Sequence, residues 1–283
     1  MNKLSSVILL VTLLATSSWS QSVDDSEATD KAQPAVPERL LDESHMKEEL
    51  GVNEFTAPSI KKIFEDLEGL PPIPEEVAIR KRPEKLPIDR CSLALDMGFL
   101  MADGFAIVQC GKMNEVRPIA LDLTRYAKAM GAGERVNRHA ASLLQNAEDG
   151  DLTNFKQNLA LTQNDVEQEL ASLRDPDMAH LIALGGWIRA LDAATAALDK
   201  KFTEEQAKLV CQPDVPEYFS EVLSGVDPEM RRRRDINGLI KLLERVQEEM
   251  TLSPSQPEPT PELIKKMRET TQALISTSIG ETK

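Results

Sequence analysis

The sequence predicts an all-α protein, a multi-helix bundle or compact helical array with two central buried helices at about 88–110 and 177–202. Three observations carry this expectation. Apolar residues recur at spacings of three and four from about residue 86 to residue 250, the signature of helix faces. No comparable stretch alternates with the period of two that a half-buried strand needs. Helix starts and stops also fall at the segment borders. Asp175-Pro176 and Asp227-Pro228 each offer an N-cap followed by proline, Thr203 with Gln206 makes a capping box, and Gly131, Gly133 and Gly150 punctuate the breaks.

Residues 1–20 read as a secretory signal peptide. Lys3 gives a positive start, Val7 to Ala15 is a short apolar run, and Ser18 and Ser20 place small side chains before a cut at Gln21. Without it the chain carries 32 basic and 47 acidic residues, a net charge of −15. Residues 21–56 are acidic and weakly periodic, an expected disordered arm. The helical domain spans 57–252. It opens with a short helix at 57–69, where Ile60, Ile63, Phe64 and Leu67 share a face, and a proline-rich extended segment at 70–87.

Four amphipathic stripes follow from the spacing. They run through Ile119, Leu123, Tyr126 and Met130; through Val136, Leu143 and Ala147; from Leu152 to Leu173; and from Ile236 to Met250. A proline-rich hinge at 253–261 leads to a C-terminal amphipathic helix and tail at 262–283. The two central helices differ from the rest in being apolar nearly all round. Both carry glycines (Gly98 and Gly104, Gly185 and Gly186) whose helix-propensity cost a close helix crossing would offset. The pentapeptides at 98–102 and 186–190 are faintly alike, with Gly98-Phe99 against Gly186-Trp187.

The charge excludes some functions. At −14 overall the chain would repel nucleic acid, and 4% aromatic residues leave little for base stacking. No later segment offers 18 apolar residues free of charge, so no integral membrane segment is expected after the signal. HExxH, CxxC, GxSxG, Walker and GxGxxG motifs are absent, and the three histidines, His45, His139 and His180, are scattered. No catalytic residue, metal or cofactor is assigned. Cys91 and Cys110 lie nineteen residues apart on one helix, about 28 Å at helical rise. Any intramolecular bridge must therefore use Cys211, and the alternative is three separate small buried side chains.

The candidate ligand-binding residues are Asp96, Asp103, Trp187 and Arg189. Asp96 and Asp103 are seven residues apart and share a helix face, with Ser92 and Cys110 extending the stripe. Buried carboxylates need water or a cation, and Arg125, Arg138 and Arg189 are the candidate partners. Some 10 Å along the axis is too far for two carboxyls to act on one bond. The plainer reading is a solvated stripe or structural ion pairs. Arg231, Arg232, Arg233 and Arg234 form the one basic cluster, a candidate contact for an acidic protein partner, anionic headgroups or the chain's own arm, or simply a solvated face.

The expectation is thus an exported acidic helical protein with a binding or structural role, in a bacterial cell envelope or outside the cell. One alternative is a small-ligand or cation binder using the polar stripe. The other is an enzyme with a site assembled between the two central helices.

Overall fold

The computed structural model describes residues 34–41 and 57–279, with backbone alone for residue 113 and residues 134–141. The expected signal peptide at 1–20 and most of the arm at 21–56 lie outside the described residues. Within them every named element is helical. The twelve α-helices are α1 (Ile60–Asp66), α2 (Glu75–Ala78), α3 (Arg90–Gln109), α4 (Val116–Met130), α5 (Gly133–Asp149), α6 (Leu152–Ser172), α7 (Pro176–Lys200), α8 (Glu204–Lys208), α9 (Asp214–Gly225), α10 (Pro228–Arg231), α11 (Arg234–Met250) and α12 (Pro261–Ser278).

The centre is the packing of α3 on α7, and the glycines make it possible. A Cβ added at Gly98 would overlap the Ile182 carbonyl and come within 2.8 Å of the Gly186 amide, and one at Gly185 would overlap the Leu95 carbonyl. Any larger residue would push the two backbones apart. Gly98 and Gly186, paired by the pentapeptide likeness, thus meet at the crossing. The helices run parallel. Arg90 at the start of α3 pairs with Asp175 at the start of α7 at 2.5 Å, and Asp103 pairs with Arg189 further along both.

Around this pair, α4, α5 and α6 pack in succession and return onto α3 and α7, while α9, α11 and α12 pack in succession until α12 lies along α7. The C-terminal helix therefore docks, burying Ile264, Met267 and Leu274, with Thr260 as its N-cap. By length and hydropathy α3 and α7 could each cross a bilayer, yet 94% of each apolar window is buried inside the body. All-round hydrophobicity here marks core helices.

Local chemistry accounts for the element ends. Asp89 caps α3, accepting from the Ser92 amide at 2.8 Å, and Thr203 caps α8, accepting from the Gln206 amide at 3.3 Å, while Gln206 Oε1 takes the Thr203 hydroxyl rather than its backbone amide. Gly131 and Gly150 end α4 and α5 in the left-handed region. Arg174 does the same after α6 at φ 58°, without glycine's freedom. Pro118, whose ring suggests a first helical residue, lies in the third position of α4, and Leu173, assigned to the buried stripe of α6, is 53% exposed at the helix end.

The 70–87 segment is extended as expected apart from the one-turn α2, and it straps across α3 and α7. The disordered-arm expectation does not hold at 34–41. There Leu40 is buried, the Ser59 amide donates to its carbonyl at 2.9 Å, and Arg39 pairs with Asp214.

Candidate functional site

Asp96 and Asp103 both point inward from α3, and each is only 2% exposed. Carboxylates so far from water require cations, and the fold delivers two. Arg189 of α7, equally buried, donates from Nε to Asp103 Oδ1 at 2.7 Å and from Nη1 to Asp192 Oδ2 at 2.6 Å. Its Nη2 donates to the Val77 carbonyl on the strap. Arg80, also on the strap, donates from Nε to Asp103 Oδ2 at 2.6 Å and from Nη2 to Asp96 Oδ1 at 3.1 Å. The other Asp96 oxygen accepts from the Tyr126 hydroxyl of α4.

Asp103 thus gives one oxygen to each arginine, and Arg80 spans the gap between the two acids. Burial alone would lower the Arg80 pKa, but Asp103 and then Asp96 outweigh it and hold it above its ordinary value. Burial, then the Asp96 hydrogen bond, raises the Tyr126 phenol, which stays protonated and donating. Burial likewise raises Asp192, against the pull of Arg189. The Arg80 guanidinium also lies 5.4 Å from the Phe99 ring centroid, a cation–π placement.

The network gathers three of the four candidate ligand residues, Asp96, Asp103 and Arg189. The fourth, Trp187, does not belong. It lies two residues before Arg189, about 200° around the helix, and packs against Phe219 at 5.7 Å in the core. Of the anticipated cationic partners, Arg189 holds, Arg125 instead pairs with Asp122 at 2.9 Å, and the Arg138 side chain lies outside the described residues. Ser92 and Cys110 do not join: Ser92 donates to Asp89 and Cys110 to the Ile73 carbonyl. The space between α3 and α7, where the enzyme alternative put its site, is taken up by the glycine crossing and these ion pairs.

Three residues of the network, Arg80, Tyr126 and Asp192, escaped the sequence reading as site members. The available signal was electrostatic: two acids on a helix apolar nearly all round, and a proline-rich extended segment just before it carrying Arg80-Lys81-Arg82.

Arg80 also divides two clefts. One, of about 320 Å³, is bordered by Arg82, Asp122 and Arg125, where Asp122 takes both arginines. The other, of about 520 Å³, is bordered by the strap, α7 and α12.

The Arg231–Arg234 cluster sits at the α10–α11 junction. Arg233 is clamped by Asp89 and by Asp235, Arg231 donates to the Ser224 carbonyl, and Arg232 and Arg234 are exposed. Next to Asp89, Ile88 is fully exposed.

Elsewhere, His180 meets the Tyr218 hydroxyl at 3.1 Å, and among the described residues no cluster of three metal-ligating side chains occurs. The three cysteines are free thiols, as in the alternative without a bridge, and burial raises Cys91 and Cys211 to about 11. No family model, curated protein or solved structure matches this chain.

Proposed function

We propose that this is an exported, acidic, all-helical binding protein in which the Arg80–Asp96–Asp103–Arg189 network is a structural clamp and binding takes place in the clefts that the clamped strap creates. The observation that carries this reading is Arg80. The polar stripe on α3 does bind a cation, and that cation is the chain's own guanidinium. The acids are thereby saturated, while the strap is held rigidly enough to wall two preformed clefts, the usual setting of a small-molecule site. The export part rests on the leader-like composition of residues 1–20.

The test is native mass spectrometry of the protein purified gently from its own cells. A retained small molecule in stoichiometric amount is the expected result. A protein that is bare and monomeric under all such conditions contradicts the reading.

A second reading, docking of an acidic protein partner on Arg231–Arg234, draws support from the exposed pair Arg232 and Arg234 and the fully exposed Ile88 beside the Arg233–Asp89 bridge. Co-purification of one partner, lost in Arg232→Glu/Arg234→Glu, distinguishes it.

A further inference from the structure

We propose that the cleft between the strap, α7 and α12 binds a small organic anion with an apolar tail. The inference rests on the binding reading above and names its ligand class.

The first ground is charge. Arg80, Lys81, Arg189 and Arg268 border this cleft against two acids, Glu76 and Asp192. Both acids are already engaged, Glu76 by Lys200 and Asp192 by Arg189. Arg80, Arg189 and Arg268 are in turn engaged by Asp96, Asp103, Asp192 and Asp199, so the free charge among the described residues of this cleft of about 520 Å³ is that of Lys81, next to Arg80.

The second ground is unused hydrogen-bonding capacity. Arg80 commits Nε and Nη2 to the buried acids. Its Nη1 has no partner among the described residues, while its guanidinium plane is steadied over Phe99. Lys81 is exposed and makes no ion pair among the described residues. Arg268, on the α12 wall, spends Nη1 on Asp199. An acceptor-rich headgroup suits spare donors from a planar guanidinium and a neighbouring ammonium.

The third ground is the remaining wall. Val77, Ile275 and Ile279 supply an apolar surface within the same cleft, with Ile279 partly exposed at 41%. A bare inorganic anion would leave this surface wet, and a cation would face the donors. The cleft across the strap lacks the combination, because Asp122 consumes Arg82 and Arg125 there.

The experiment is calorimetric titration of the full chain with decanoate and decyl phosphate below their micelle concentrations, with decanol and decyltrimethylammonium as controls. Both anions are expected to bind at one site. Lys81→Gln, an exposed change that spares folding, should weaken them about fivefold, and Ile279→Asp should weaken them about tenfold or more. Arg117→Gln, an exposed change on α4 that does not border the cleft, should leave affinity unchanged. Failure of both anions to bind, decanol binding as tightly as decanoate, or Lys81→Gln and Ile279→Asp binding like wild type would each overturn the proposal. A neutral or cationic molecule retained by the native protein would sink this ligand class and leave the binding reading standing. A bare protein that also ignores both anions would sink both.

Discussion

Arg80 donates its Nε proton to Asp103 at 2.6 Å across 23 residues of chain, joining a proline-rich strap to the centre of the core helix. Asp103 simultaneously accepts from Arg189 on its other oxygen at 2.7 Å, so one carboxylate fastens three segments. Removing it takes from the buried Arg189 guanidinium one of its two carboxylates, leaving Asp192 alone to balance it. Asp103→Ala is therefore expected to cost about 3–5 kcal/mol in urea unfolding. The double change Asp103→Leu/Arg189→Met should cost less than Asp103→Ala, because the fully buried guanidinium goes with its carboxylate and only the partly accessible Asp192 loses a cation. Equal or greater loss in the double variant would show that the pair itself, rather than its burial, is the stabilising element.

The crossing of α3 and α7 gives a sharper steric forecast. Gly98→Ala and Gly185→Ala each place a methyl group into the opposing backbone, so each should destabilise by about 2–3 kcal/mol or more despite alanine's better helix propensity. Gly225→Ala, with no neighbour within 4 Å of the added atom, should be neutral or slightly stabilising. Thermal denaturation of the three variants checks the ordering.

Arg174 ends α6 with φ 58°, and its successor Asp175 donates back to Leu170 at 2.9 Å, an arrangement in which glycine is the usual residue. Arg174→Gly is expected to raise stability by about 0.5–1 kcal/mol. A lowered midpoint in the same denaturation assay would mean that the arginine side chain contributes more than its backbone costs.

His180 sets a pH dependence whose sign follows from burial. Desolvation lowers its pKa from 6.5 to about 4, so between those values the unfolded chain binds the proton and the folded one does not. Its contribution is fully present above pH 6.5 and is lost as pH falls toward 4, amounting to roughly 3 kcal/mol at most. Asp89 acts in the same direction lower down. Burial opposes its ionisation, but hydrogen bonds from Arg233 and Ser92 prevail and bring it to about 2. Urea midpoints measured from pH 8 to 4 should fall below pH 6.5 in the wild type and flatten in His180→Asn. An unchanged slope in the variant would assign the loss to other groups.

Much of this fold was legible in the sequence, and the reasons are local. The helix stripes follow from spacing, and Gly98 and Gly185 announced a close crossing because nothing else makes glycine welcome in a helix. Asp96 and Asp103 were legible as one face because seven residues nearly close two turns. Trp187 could have been separated from Arg189 by the same geometry, since two residues on a helix point to opposite sides. Arg80 was harder to place. It sits in a segment without periodicity, and its partners are distant in sequence, so only the unmet charge of two buried acids pointed to it. Leu40 was hidden for a related reason: a single docked leucine in an acidic, proline-containing stretch leaves no pattern.

The most direct test is amide hydrogen exchange over the strap in Arg80→Met, which keeps the length of the side chain and removes its charge. The Val77, Ala78 and Ile79 amides are bonded to Pro74 and Glu75 carbonyls within α2, so their protection reports whether the strap stays down. If Arg80 is the clamp, these amides should exchange at least about tenfold faster than in wild type, a loss of 1.4 kcal/mol or more, while Arg82→Met leaves them unchanged. Equal protection in Arg80→Met and wild type would contradict the account.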